Sequence, residues 1–310
     1  MVHWKNNWDI NYWYHLLAFI VVFTWGTTFV STKVLLIAGL TPENILVYRF
    51  ILAYIGIWFL GKNQLFSKTW KDELLFLLLG VFGGSLYFLT ENTALKFTQA
   101  SNVSLLVCTA PLFTALLSHF IIKTEKLKLR MINGSIIAFF GMALVVFNGH
   151  FILKLSPVGD LLSICAALCW AFYTIIFKQI SSRYNSLFIT RKVFFYGLVT
   201  IAPVFLFRPL ITDLAILSNP VVWGNLLFLG LIASLCCYFA WNVVIKQLGA
   251  IRSSNYIYLN PLATLITSSI VIHEKITGLA LVGAALILIG VFWVEKGMPL
   301  TYINQLLKKS

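Results

Sequence analysis

LLAFIVVFTWGTTFVSTKVLLI, residues 16–37, is long and apolar enough to cross a bilayer, and it carries Trp25-Gly26 with Lys33 about two turns further on. GDLLSICAALCWAFYTIIFK, residues 159–178, repeats the arrangement with Trp170-Ala171 and Lys178 at the same spacing. Working outward, Pro111-Leu112 returns as Pro261-Leu262, and Glu125-Lys126, Gly134 and Gly141 return as Glu274-Lys275, Gly283 and Gly290 with their spacings kept. Two copies of one membrane unit are expected, as 16–149 and 150–296, between an interfacial amino-terminal segment, 1–15, and a tail, 297–310. An internal duplication in a long hydrophobic chain marks a transporter whose path runs between the repeats.

Composition supports the bilayer as solvent. With 60% apolar and 11% charged residues and a mean hydropathy of +0.89, there is too little polar surface to cover a water-soluble globule. Ten apolar stretches are expected to span: Leu16–Ile37, Asn44–Leu60, Leu74–Leu95, Ser101–Ile122, Met131–Phe147, Gly159–Phe177, Leu187–Phe207, Val221–Ile245, Ser253–Ile272 and Ile276–Val294. The seventh is the weakest, because Arg191 and Lys192 enter it and Pro203 should kink it. Lengths and the lack of alternation exclude barrel strands. The fold class is therefore all-α integral membrane protein.

A net charge of +13 would suggest nucleic acid in a soluble protein, but here the charge follows the loops. With a cytoplasmic amino terminus, most of the 23 Lys and Arg residues fall on inside segments, whereas Lys96, Lys154, Arg208 and Lys275 fall outside. This positive-inside bias places both termini in the cytoplasm of a plasma-membrane protein. Five spans per repeat is an odd number, so the repeats must enter from opposite sides as an inverted pair.

The first apolar stretch is too long for a cleavable signal, carries Lys33 and lacks a small-residue cleavage site, so it is expected to stay as a span. Trp4, Trp8, Tyr12, Trp13 and Tyr14 suit a headgroup belt, and Leu300, Ile303, Leu306 and Leu307 with Lys308 and Lys309 suit a short surface helix. Cys108, Cys165, Cys169, Cys236 and Cys237 all fall in spans, where free thiols act as small apolar groups. Nothing near Cys165 and Cys169 completes a metal site, and no cofactor is called for.

Together these residues resemble the EamA-type family of the drug/metabolite transporter superfamily over nearly the whole chain. The resemblance rests on Phe23-Thr24-Trp25-Gly26 with Phe29 and Lys33, Tyr48-Arg49-Phe50, Ala94-Leu95, Ala100-Ser101-Asn102, Pro111-Leu112-Phe113, Glu125-Lys126, the glycines of the fifth stretch, and their second-half counterparts. It implies ten helices in two inverted repeats, with helices one to four and six to nine around a central cavity and five and ten at the side. It also implies export or exchange of small metabolites, often amino acids, without ATP hydrolysis. A homodimer through helices five and ten is compatible with it.

Ionisable groups in spans are costly and must face protein or water. Glu91 is the one acid in the middle of a span. It either couples protons to transport or forms an ion pair with Arg49 or Lys33. Beside it stands Asn92, which an offset of 150 relates to Asn242; the two amides either contact a substrate or join helices. Trp25, Thr28, Tyr87, Trp170, Tyr173, Tyr238, Trp241, Tyr256 and Asn260 lie on the same spans, and a cavity lined by them suits a small, partly apolar zwitterion or amphiphile. Pro111 and Pro261 each remove a backbone donor and place matching hinges or fixed bends in the two repeats. Gly80 with Gly84, and the glycines of the fifth and tenth stretches, suit close helix approach.

The rival classes are a polytopic membrane enzyme and a structural membrane protein. His273-Glu274 fails H-E-x-x-H at Thr277, Gly83-Gly84-Ser85 fails G-x-S-x-G at Tyr87, and no P-loop is present. Any pumping must draw on a gradient.

Overall fold

The computed structural model describes residues 7–60, 65–98, 100–121, 129–147, 156–211, 213–271 and 277–296. The Glu125-Lys126 and Glu274-Lys275 loops, Trp4 and the tail from 297 on lie outside the described residues. Helix starts follow local chemistry. Thr41, Thr69 and Ser156 accept from backbone N–H groups of the first turn of α2 (Pro42–Trp58), α3 (Trp70–Gly80) and α8 (Pro157–Ile180), and Pro42 and Pro157 open their helices where a missing donor is harmless. Asn185 and Asn219 cap α9 (Ser186–Ile201) and α11 (Pro220–Leu227) in the same way. Gly39 and Gly249, at φ of 101° and 91°, turn the chain after α1 (Asn7–Ile37) and α12 (Cys237–Leu248), where a β-carbon would be strained.

The remaining helices are α4 (Leu86–Phe97), α5 (Ala100–Val107), α6 (Ala110–Ile121), α7 (Leu129–Phe147), α10 (Leu214–Leu217), α13 (Ala250–Asn255), α14 (Asn260–Val271) and α15 (Gly278–Lys296), and no strand occurs among the described residues. Several join end to end. A π-helical segment, Val81–Ser85, links α3 to α4, and another, Phe228–Cys236, links α11 to α12. The offset of 150 that relates Pro111 to Pro261 carries the first into the second. Six runs are long and apolar enough to cross a membrane: 12–37, 70–97, 103–121, 157–180, 186–206 and 220–248, with shorter apolar helices at 129–145 and 278–294. Large apolar side chains such as Phe120, Phe140, Leu161 and Leu281 are exposed, as a lipid-facing surface requires.

Pro203 acts as expected, for the helix tightens into a 3₁₀ turn over Ala202–Leu206. Pro111 and Pro261 do not kink continuous helices. Each is the second residue of a new helix, α6 or α14, after a break at Cys108-Thr109 and a 3₁₀ turn over Tyr256–Leu259. The breaks meet, since the Cys108 thiol donates to the Ile257 carbonyl at 3.3 Å.

Helices α7 and α15 pack along glycines. A β-carbon on Gly134 would lie 2.7 Å from the Gly290 carbonyl oxygen, and one on Gly141 would lie 2.6 Å from that of Gly283. As α7 advances from 134 to 141, α15 runs back from 290 to 283, so the two are antiparallel. These glycines thus serve close approach inside one chain. Gly80 and Gly84 do the same against Tyr196-Gly197 of α9, and Gly83 admits the Tyr173 ring.

Buried and half-buried acids near the ends of the bundle are partnered. Asp72 pairs with Arg183 and accepts from Tyr184 at 2.8 Å; Glu73 pairs with Lys192 and accepts from Tyr196; Glu43 pairs with Arg208 at 3.3 Å. Burial pushes the Tyr184 phenol up, which keeps it a donor. Lys192 is thereby satisfied, whereas Arg191 lies 5.1 Å over Trp58 with its Nη2 buried and unbonded.

Candidate functional site

The site grows from the two π-helical segments. An i→i+5 turn is wider than an α-turn and leaves carbonyl oxygens available to other groups. In the first segment the Gly83 carbonyl accepts the Tyr238 hydroxyl. In the second, the Ala233 carbonyl accepts the Trp25 indole N–H at 2.9 Å. Residues 83 and 233 are related by the offset of 150, so each half of the chain supplies a main-chain acceptor to an aromatic ring of the other half.

The rings so held make a cluster. Trp25 meets Trp170 edge-on at 5.1 Å and 89°, and it lies 5.2 Å from Trp241 and 5.8 Å from Tyr238. Tyr87 and Tyr173 each lie 5.1 Å from Trp170. Edge-on and tilted contacts at these separations are favourable arrangements of aromatic quadrupoles. Trp25, Trp170, Tyr87 and Tyr238 wall a cavity whose lining also includes Thr28, Arg49, Glu91 and Asn260. The space is about 30 Å³, room for about one or two waters. A site for a metabolite needs roughly 300 Å³ or more, so the cavity in this conformation is too small to admit one.

Two opposite charges face that centre without touching. Arg49 is 3% exposed; its Nε donates to Ser234 Oγ at 2.9 Å and its guanidinium lies 4.1 Å over the Phe88 ring. Glu91 is 5% exposed and its Oε2 has no hydrogen-bond partner. The Tyr87 hydroxyl hydrogen-bonds the Glu91 carboxylate and Arg49 acts on it electrostatically, yet no Arg49 nitrogen comes within the 4.0 Å of an ion pair. Phe88 and Glu91 are i, i+3 neighbours on one face of α4. The cation is thus stacked one turn short of the acid.

Several residues selected from the sequence are turned elsewhere. Lys33 is not brought to Glu91; its ammonium donates to the Leu95 carbonyl at 2.6 Å. Asn92 donates to the Pro42 carbonyl at 3.3 Å, and Asn242 accepts from the Tyr173 hydroxyl at 2.5 Å and donates to Thr190 at 2.8 Å. Both amides are 0% exposed and join helices outside the cavity lining. Tyr173 and Trp241 back the cluster without lining the space. Tyr256 lies in a lateral groove with Phe19 and Phe292, bonded to His15 Nδ1 at 2.6 Å. The lining adds Phe29, Phe88, Val107, Ala110 and Ile257. Of these, Phe88 was findable one turn before Glu91, while Val107, Ala110 and Ile257 flank the two breaks and carry no chemical signal. All five cysteines are free, and no group of metal ligands occurs among the described residues.

Comparison with known proteins agrees with this architecture. An uncharacterized transporter of Archaeoglobus fulgidus is 28% identical over 282 residues, covering 90% of this chain and 96% of that protein. A probable amino-acid metabolite efflux pump of Escherichia coli is 26% identical, covering 89% of this chain and 93% of its own length. A probable terminal-alkyne amino-acid exporter of Streptantibioticus cattleyicolor is also 26% identical, covering 89% and 91%. A solved crystal structure with 18% identity aligns at a TM-score of 0.71 over 90% of this chain and 96% of that one, which is a likeness of fold. The model of the EamA-like transporter family matches residues 12–147 and again 157–295, and the chain belongs to that family.

Proposed function

We propose that this protein is a secondary transporter that exports or exchanges a small metabolite such as an amino acid, by alternating access and without ATP hydrolysis. In this reading ten spans form two inverted repeats, 16–149 and 150–296, with both termini cytoplasmic in the plasma membrane. The observation that carries it is the cavity lined by both halves, in which Arg49 and Glu91 face one space inside an aromatic wall without forming an ion pair. The antiparallel seam of α7 on α15 supports an axis lying in the membrane plane, as do the paired π segments. Relatives named as amino-acid metabolite efflux pumps support the substrate class.

Counterflow in proteoliposomes across the twenty amino acids tests the reading. Exchange of at least one is expected, with a marked loss in Trp170→Ala and Tyr87→Ala proteins that remain folded. Absence of exchange for every amino acid would overturn it. Single cysteines near Glu125 and Glu274, in a cysteine-free background, should label from outside intact cells only at the second. Equal labelling would remove the inverted arrangement.

A further inference from the structure

Four polar groups that face the cavity have unused hydrogen-bonding capacity, and they fall into two kinds. Glu91 Oε2 and Asn260 Oδ1 are buried acceptors without partners. The Trp170 indole N–H is a buried donor without a partner, and Arg49 uses only Nε, on Ser234. A buried polar atom left unpaired costs about 1–3 kcal/mol, and native proteins keep few of them. Three such atoms, with the Arg49 guanidinium beside them, converge on one space and give it both donors and acceptors. They do not satisfy one another, because Ser234 and the Phe88 face hold the guanidinium away from the carboxylate.

We infer that Arg49 and Trp170 receive the carboxylate of a zwitterionic substrate and that Glu91 and Asn260 receive its ammonium, with the aromatic wall taking its apolar part. The inference rests on the transport reading above and assigns each end of the substrate to residues. A carboxylate only accepts and an ammonium only donates, so the two head groups match the two pairs. A lone anion would leave both acceptors unmet and would approach Glu91 with like charge. A lone cation would meet Arg49 in the same way. The locked ion pair, one of the two roles given for Glu91, would need contact with a base, whereas the Arg49 guanidinium is engaged by Ser234 and the Phe88 ring.

The test uses full-length protein in proteoliposomes, with the best-exchanged of the twenty amino acids as probe and lactate and putrescine as controls that carry charge of one sign only. The carboxamide and the N-acetyl derivative of that amino acid should compete roughly 10- to 100-fold more weakly than the free compound. In Glu91→Gln the N-acetyl penalty should shrink toward unity while the amide penalty persists. In Arg49→Gln the reverse is expected. A variant that only loosened the fold would weaken all three compounds alike. Should Arg49→Gln fail to fold, Ser234→Ala frees the guanidinium and should reduce the amide penalty alone.

Exchange of lactate or putrescine on a par with the amino acid would overturn the inference while transport stands. So would equal competition by all three compounds, or uniform weakening in both variants. Failure of all twenty amino acids to exchange overturns the transport reading and this inference together.

Discussion

The glycine seam between α7 and α15 makes a prediction whose sign is decided by distance. In an open helix, Gly→Ala gains about 0.8–1.0 kcal/mol of propensity. At Gly141 the added β-carbon would stand 2.6 Å from the Gly283 carbonyl oxygen, 2.7 Å from the Ile287 nitrogen and 2.7 Å from the Leu286 β-carbon. Ordinary contact begins near 3.4 Å, so the helices must part by about 0.8 Å and lose dispersion contacts along their length. Overpacking of this kind costs about 1–3 kcal/mol, so Gly141→Ala should be destabilising by up to about 2 kcal/mol after the propensity gain. Gly283→Ala opens the same gap from the other side, and the double variant should cost less than the sum of the two. Gly141→Ala with Gly290→Ala acts at contacts about 10 Å apart along the helix and should add. Gly224→Ala, with nothing within 4 Å of its new β-carbon, should be neutral or stabilising. Reversible unfolding in mixed micelles measures all of these, and counterflow should survive because neither helix lines the cavity. A stabilised Gly141→Ala protein, or additive behaviour of the 141 and 283 changes, would refute the reasoning.

Three further outcomes follow from the partnered charges. Glu73→Gln leaves Lys192, only 8% exposed at its side chain, without its carboxylate and should cost about 3–5 kcal/mol, with partial rescue by Lys192→Met; retained stability in the single variant would show that the pair contributes nothing. Asp72→Asn weakens the Arg183 and Tyr184 contacts and should cost about 1–3 kcal/mol, less than Glu73→Gln because Arg183 is 46% exposed and regains water; the ranking is read from chemical unfolding midpoints. Ser234→Ala should raise KM in counterflow by roughly 3- to 10-fold with little change in maximal rate, since it loosens Arg49, the group proposed to orient substrate.

The membrane class and most helical runs were legible because bilayer thickness sets a minimum apolar length that composition cannot disguise. The cavity was half legible. Trp25, Trp170, Tyr87, Tyr238, Arg49 and Glu91 do converge, because groups that are costly in lipid must find one another. Orientation was harder. Asn92 follows Glu91, and one residue is about 100° of rotation on an α-helix, so the acid faces the cavity while the amide faces α2. Tyr256 lies in a 3₁₀ turn with about three residues per turn, a winding that spacing rules for α-helices misplace. Lys33 is long enough to reach the carbonyl end of α4 and ends there rather than at Glu91. The π segments were invisible, since their sequences, VFGGS and FLGLIASLC, are ordinary apolar helix sequences.

Those two segments also set what kind of change the cavity wall can tolerate. Trp25 and Tyr238 are hung on the carbonyls of Ala233 and Gly83, atoms that every amino acid possesses, so no side-chain replacement at 83 or 233 deletes the hook itself. The attachment is written in chain length rather than in residue identity. Removing a single residue from either segment would rewind it as an α-turn, retract the carbonyl into the helical ladder and turn everything beyond it by about 100°. Length in these stretches is therefore a quantity expected to be kept, beside the glycines such as Gly83 and Gly230 whose close neighbours leave no space for a β-carbon.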